Sequence, residues 1–294
     1  MILRAPAKIN LYLKVLRKRP DGYHSIETLF ERIDLCDRIV LRSLKRDTIR
    51  IFCDHPGVPT GKAGLMYRAV GALKKAYGIR KGVEVRISKK IPVAAELGGG
   101  SSDAAAVLLG LNRLWKISPG TRHLVNIARR LGADVPFFLG RSSFAIAGER
   151  GDDVKALRWP RLKLWHLVVY SPVKVLSGDI YRMYSKKRYS TLTKYDRSNR
   201  IHLPGIDSIS PKNVPQLIHN DLEELVIKKE PVVDKIKRAL REAGAMYSLV
   251  SGSGPSVFSL FEKRREAIKV KDALTRRFPF VTNKGWQIFI VPTL

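Results

Sequence analysis

Residues Leu97 to Trp115 read LGGGSSDAAAVLLGLNRLW, three glycines, two serines and an aspartate that run without a break into an alanine- and leucine-rich stretch. Ser101, Ser102 and Asp103 are residue types that cap helix starts, and the residues that follow are strong helix formers. Gly98, Gly99 and Gly100 are therefore expected just before a helix N-terminus. Unpaired N–H groups and the positive end of the helix dipole favour an anion there, and glycines let it approach the backbone closely. A phosphate is the natural ligand. The same residues also suit a tight loop beside a buried helix, and this segment alone leaves that alternative open. Two familiar phosphate loops do not fit: no Gly-Lys-Ser or Gly-Lys-Thr ending is present, and Gly98, Gly100 and Asp103 break the three-glycine dinucleotide fingerprint.

A chain of 294 residues exceeds the size at which one core usually stops growing, so two domains are expected. With 45% hydrophobic and 28% charged residues the composition is that of a folded protein and excludes a disordered or collagen-like chain. No apolar run is long enough to cross a bilayer, and MILRAPAKIN lacks the features of a secretory signal, so no membrane partner and a cytoplasmic location are expected. Cys36 and Cys53 have no metal-ligand spacing, which argues against a disulfide framework or a zinc site.

Charge is the unusual bulk property: 55 Lys and Arg against 26 Asp and Glu leave a formal +29. Such a field attracts nucleic acid, anionic membrane or phosphorylated small molecules. The basic residues are spread, with denser groups at VLRKRP, ISKKIP, MYSKKRYSTLTKYDRSNR and FEKRREAIKVK, and none forms a recognised nucleic-acid module. Any nucleic-acid binding is expected to be non-specific.

Short apolar runs, INLYLKVL, DRIVLRSL and VEVRIS, read as strands and alternate with helix-like LMYRAVGALKKAYG. Glycine, charge and proline in GERGDDVKALRWPRL interrupt this pattern, which divides the chain into residues 1–155 and 156–294. In the second part KLWHLVVYSP reads as a buried strand, followed by a long polar stretch from Arg182 to Lys212. VPQLIHNDLEELVI and VVDKIKRALREAGA then read as helices, MYSLVSGSGPSVFSLF as two strands about a glycine turn, EAIKVKDALTRRF as a helix and WQIFIVP as a strand. The fold class is α+β.

PAKINLYL, IPVAAELGGGSSDAAA and SLVSGSGPSVF resemble, in that order, the three signature segments of the GHMP kinases. RPDGYHSIETLF, LGADVPFFL and NDLE are similar to the branch of that family whose alcohol substrate carries a cytidine diphosphate group. The resemblance implies a two-domain GHMP kinase fold: a first domain like domain 2 of ribosomal protein S5, and a ferredoxin-like second domain. It also implies an ATP-dependent small-molecule kinase, with Mg2+ bound alongside the nucleotide. The acceptor would be the 2-hydroxyl of a cytidine diphosphate-linked methylerythritol, on the non-mevalonate route to isoprenoids. Another small alcohol as acceptor, or a basic nucleic-acid-binding protein on a degenerate kinase scaffold, are the alternatives.

Carried over residue by residue, Leu97 to Asp103 would cradle the ATP phosphates. Asp134 of LGADVPFF would orient the acceptor hydroxyl and take its proton, with Lys8 of PAKIN steadying the carboxylate. Asn10, Tyr23 and His24 would recognise the cytidine, because a cytosine offers a face for stacking and an edge for hydrogen bonds. Tyr181 aligns with an aromatic on the other side of the base, and Ser177 with a substrate-contacting threonine. Gly252, Ser253 and Gly254 would lie near the transferring phosphate, and Ser101 or Ser102 would join the magnesium shell.

The chain departs from the family pattern at three places. Glu96 stands where the family writes glycine, and faces either a basic residue or solvent, which leaves binding intact, or the phosphates, which it would repel. Gly64 replaces an asparagine that contacts the nucleotide, and the basic stretch from Lys186 to Arg200 is longer than the pattern requires.

Overall fold

The computed structural model describes residues 1–117, 120–159, 162–189, 210 and 213–294. Of the stretch from Arg182 to Lys212, residues 190–209, 211 and 212 lie outside the described residues, and with them most of the long basic stretch.

β1 (Ile2–Lys18) and β2 (His24–Leu44) form a long antiparallel pair with register shifts after Pro6, Asn10 and Val15. β3 (Ile49–Cys53) and β4 (Gly82–Ser88) extend the sheet on the β2 side. β5 (Phe144–Gly148) also pairs with β2, and β6 (Asp153–Leu157) with β5. The chain visits this sheet once more through β8 (His219–Asn220), which lies parallel to β1.

Four helices cover one face: α1 (Leu65–Tyr77), α2 (Gly99–Trp115), α3 (Thr121–Leu131) and α4 (Val135–Leu139). Val83, Val85 and Ile87 alternate with Glu84 and Arg86, so one face of β4 is apolar. That face meets Val70 and Leu73 of α1 and Leu108 and Leu111 of α2 in one core cluster. Fully burying each such aliphatic side chain stabilises the fold by roughly 1.5–3 kcal/mol.

The second sheet is antiparallel, in the order β11 (Gln287–Pro292), β7 (Trp165–Tyr170), β10 (Val257–Phe261), β9 (Ser248–Val250). Alternation along β7 gives it two working faces. Leu167 and Val169 pack with α7 (Val232–Glu242) and α8 (Arg264–Arg277), whereas Val168 packs with Ile9 and Leu11 of β1. The two sheets therefore share a core, and this sets the cleft between them. α5 (Ser177–Tyr189) and α6 (Glu223–Lys229) complete the second half.

Local readings change in three places. The expected division at 155 falls inside β6, which stays paired with β5 through Leu157. VPQLIHNDLEELVI is not one helix: a 3-10 turn at Val214–Gln216 and β8 precede α6. The break is local chemistry, because the Asn220 side chain accepts the Leu222 N–H while donating to the carbonyls of Val250 and Gly252. Finally, α2 begins three residues earlier than a cap at Ser101 would place it. Gly98 is its N-cap, and Gly99, Gly100, Ser101, Ser102 and Asp103 are already helical.

Candidate active site

Backbone and serine hydrogen bonds bring the three signature segments together. The Lys8 N–H donates to the Leu97 carbonyl at 2.9 Å, which ties β1 to the start of α2. On the other side, Ser251 Oγ donates to the Glu96 carbonyl at 3.2 Å and Ser256 Oγ to that of Ala95 at 2.8 Å. Asn220 Nδ2 holds the Ser251 turn itself, at 2.9 Å from the Val250 carbonyl and 2.8 Å from that of Gly252.

Gly98 sits in the left-handed region at φ +70°, and a Cβ there would lie 2.9 Å from both Lys8 Cγ and Phe138 Cζ. Only glycine combines that backbone with that contact. A Cβ at Gly100, by contrast, would meet nothing within 4 Å, so the first turn of α2 opens on its outer side. The first N–H groups of a helix have no partner within it.

Beside the loop lies Lys8, with its side chain only 3% exposed. Its Nζ donates to Asn10 Oδ1 at 2.7 Å, stands 3.6 Å from Asp134 Oδ2 and rests 5.2 Å from the centre of the Phe30 ring. The amide orientation of Asn10 follows from a chain of donors. Thr28 Oγ1 donates to the Tyr12 carbonyl, so it must accept from Asn10 Nδ2, at 2.8 Å, and this turns Oδ1 toward the ammonium. Asp134, at the start of α4, keeps 31% of its side chain exposed. The pair is thus a buried cation behind a carboxylate that still reaches the cleft.

The acceptor-side residues are split between halves. Tyr23 is 59% exposed with the Arg150 guanidinium over its ring, and its N–H donates to Asp21 Oδ1. His24 is buried, and its ring stacks on Tyr181 of α5 at 5.3 Å and 22°. Ser185 Oγ lies 2.8 Å from His24 Nε2 and 3.2 Å from the Tyr181 carbonyl oxygen, which ties the imidazole to α5. Burial pushes the Tyr181 hydroxyl well above its ordinary pKa, with the Glu96 and Asp134 charges adding to the shift. Ser177, at the start of α5, donates to Glu96 Oε1 at 2.7 Å.

Some expected contacts are absent from the cleft. Ser102 Oγ is buried and lines a cavity of about 220 Å³ with Arg4 and Arg32, surroundings hostile to a cation. Ser101 is half-buried, with its hydroxyl 3.9 Å from where a Gly132 Cβ would be, close to the segment carrying Asp134, and a hydroxyl oxygen is a donor of the kind magnesium takes. Asp103 is turned inward onto Lys89 Nζ at 2.9 Å, and Lys89 also binds Asp37. Ser253 Oγ is buried without a partner. At Gly64 a Cβ would lie 2.1 Å from the Pro59 carbonyl oxygen, so the 59–64 turn leaves no room for an asparagine. The Glu96 carboxylate is held by Ser177 and lies beside Gly252.

Asn220, Asp221, Lys89 and Asp37 carry site architecture that sequence reasoning gave no role. Asp221 accepts the Val15 N–H at 2.7 Å, and hydrogen bonds from His219, Val15 and Tyr184 hold its pKa low against burial. The signal was present in NDLE, where Asn220 and Asp221 stand side by side.

Family models match both halves of the chain. Residues 64–141 match the GHMP kinases N terminal domain and residues 203–279 the GHMP kinases C terminal domain. The chain belongs to the GHMP kinases. A Geobacter sulfurreducens protein named 4-diphosphocytidyl-2-C-methyl-D-erythritol kinase is 41% identical over 279 residues, 94% of this chain and 95% of its own. An Enterococcus faecalis protein of the same name is 38% identical over 304 residues, covering 100% and 99%. A crystal structure of 4-(cytidine 5'-diphospho)-2C-methyl-D-erythritol kinase superposes with a TM-score of 0.77 at 32% identity, covering 99% of both chains. Within the GHMP kinases, then, the chain falls in the 4-diphosphocytidyl-2-C-methyl-D-erythritol kinase branch. A homoserine kinase from Cytophaga hutchinsonii, at TM-score 0.70 and 18% identity, shares the fold. Among the described residues no helix is long and apolar enough to cross a membrane.

Proposed function

We propose that this chain transfers the γ-phosphoryl group of ATP to the 2-hydroxyl of 4-diphosphocytidyl-2-C-methyl-D-erythritol. The observation that carries the reading is the Lys8 ammonium between Asn10 Oδ1 and Asp134 Oδ2, on a strand whose N–H is bound to Leu97 at the mouth of the glycine loop. Phosphoryl transfer asks mainly for positioning and charge stabilisation, and these groups supply both.

The first-turn N–H groups of α2, around Gly99 and Gly100, hold the nucleotide phosphates, and the Gly252–Gly254 turn closes on the opposite side. Asp134 orients the 2-hydroxyl and accepts its proton as the oxygen bonds to the γ-phosphorus and the bond to the β-phosphate oxygen breaks. Lys8 holds that carboxylate and offsets charge on the attacking oxygen. Tyr23 stacks on the cytosine, while His24 and Asn10 line its path to the cleft. Ser101 would hold a magnesium ion, which would supply charge neutralisation at the phosphates.

A coupled ADP-release assay of the wild type, offered this substrate, homoserine or mevalonate, tests the assignment. Turnover of the cytidine diphosphate compound alone is expected. Equal or better use of either other alcohol contradicts it.

A further inference from the structure

Arg32, on β2, is a buried cation whose hydrogen-bond partners are neutral. It is 7% exposed. Its Nη2 donates to the carbonyls of Phe137 at 3.1 Å and Gly140 at 3.0 Å, and the guanidinium lies 5.1 Å from the centre of the Phe137 ring. Nε is buried without a partner, and among the described residues no carboxylate pairs with this arginine. Burial pushes its pKa down to about 10, with Cys36 opposing the fall. A charge held this way is costly until a counter-charge joins it.

Arg32 lines the cavity of about 220 Å³ together with two further donors, Ser102 and Arg4. Ser102 is 1% exposed and its Oγ has no partner, so the hydroxyl does not turn back to a carbonyl of its own helix. Arg4 has a side chain that is 65% exposed. Its bonds to Asp34 and, at 3.3 Å, to Cys36 Sγ both run through Nη2, which leaves its other nitrogens for a ligand. Leu294 also lines the cavity, with its N–H on the Arg32 carbonyl at 3.0 Å, and among the described residues it forms no ion pair with either arginine. Ala106, Leu109 and Phe138 supply apolar wall, and such surroundings strengthen charge-assisted hydrogen bonds. The volume lies below the roughly 300–1,000 Å³ of sites that take drug-sized ligands, so the occupant is a small ion or group. We propose that this cavity binds a tetrahedral oxyanion, a phosphate either free or as a small monoester, between Arg32 Nε, Ser102 Oγ and the Arg4 guanidinium. Guanidinium donors match phosphate oxygens in geometry as well as charge. Lys8, Asn10 and Asp134 do not line the cavity, so the site is separate from the catalytic group and does not rest on the kinase reading.

The test is isothermal titration calorimetry of the full chain with inorganic phosphate and, separately, glycerol 3-phosphate, at constant ionic strength in chloride. A saturating non-hydrolysable ATP analogue is present throughout, so that anions drawn to the glycine loop are displaced. One phosphate per chain is expected to bind. Arg32→Gln should weaken its Kd about tenfold or more, the usual effect of losing a hydrogen bond to a charged group. That variant also gives up the bonds to Phe137 and Gly140 and is open to misfolding, so a second one decides: Ala106→Leu fills the cavity, leaves Arg32 in place and should weaken Kd about tenfold or more as well. Arg4→Ala, at an exposed side chain, should weaken it about threefold. Phosphate should raise the melting temperature of the wild type more than that of Ala106→Leu. Binding of both compounds assigns the site to monoesters as well, and binding of inorganic phosphate alone assigns it to the free ion. No saturable phosphate binding in the presence of the ATP analogue would overturn the inference. An unchanged Kd in folded Ala106→Leu would also overturn it, by placing the anion elsewhere on this basic surface.

Discussion

Two buried lysines pack against adjacent glycines of one loop, and on the function proposed here their surroundings separate a structural cation from a working one. Lys89 Nζ lies 3.2 Å from where a Gly99 Cβ would be, and it is closed between Asp37 and Asp103, both with fully buried side chains. Asp37 is itself held by the N–H groups of Lys90 at 2.6 Å and Ile91 at 2.9 Å. Lys8, against Gly98, has one neutral partner at 2.7 Å and a carboxylate at 3.6 Å that is open to the cleft. An ammonium has three donors, so Lys8 keeps capacity for an incoming group where Lys89 is committed on both sides. Burial alone does not mark a lysine as functional; the polarity and exposure of its partners do.

Substitution at each lysine tests this contrast. Lys8→Met should cost roughly 10²–10³-fold in kcat, as for removal of one donor to developing charge, with little change in melting temperature. Lys89→Met should do the reverse. It strands two buried carboxylates and should lower unfolding stability by about 3–5 kcal/mol in urea titrations, with surviving folded protein active. If Lys89→Met folds normally and loses turnover, the contrast is wrong.

Acidity sharpens it further. Burial raises the Asp103 carboxyl to about 7, against the pull of the Lys89 ammonium and with the Asp37 charge adding to the rise. Its ordinary value is 3.8, so between these pH values the folded state holds a proton that the unfolded state has lost. That contribution is complete below about pH 4 and is lost as the pH rises through about 7. Compared with Asp103→Asn, the wild type should lose roughly 2–3 kcal/mol of stability between pH 5 and pH 8. A parallel pH profile in the two proteins would contradict this.

The smallest expected effect concerns the amide that turns toward Lys8. Thr28→Val keeps the shape but removes the hydroxyl that accepts from Asn10 Nδ2, so the amide is no longer held in one orientation. A loss of about tenfold in kcat is expected, worth about 1.4 kcal/mol. No change would show that the Lys8 environment does not depend on this chain.

What the sequence made legible follows from distance along the chain. The glycine loop carries its own local chemistry, and the strand alternation of VEVRIS marks β4 directly. Lys8 and Asp134 emerged from resemblance, since a separation of 126 positions in the chain hides their 3.6 Å approach from any local pattern. Glu96 and Ser177, 81 residues apart, left no trace of their hydrogen bond. The helix start was misplaced because Ser101 to Asp103 look like caps, yet Gly98 reaches the left-handed region and starts the helix without one. Inward packing then directs Ser102 and Asp103 away from the cleft, as residues on the buried face of α2. VPQLIHNDLEELVI has helical composition, but pairing of Leu13 with Asn220 converts its middle to strand.

The central claim is that the carboxylate opposite Lys8 carries the chemistry, and Asp134→Asn tests it most directly because it keeps shape and removes the base. Steady-state kcat with the cytidine diphosphate substrate, at matched melting temperature, should fall about 10²–10⁴-fold. A folded Asp134→Asn enzyme within about threefold of wild-type kcat, a change of only ~0.65 kcal/mol, would contradict the account.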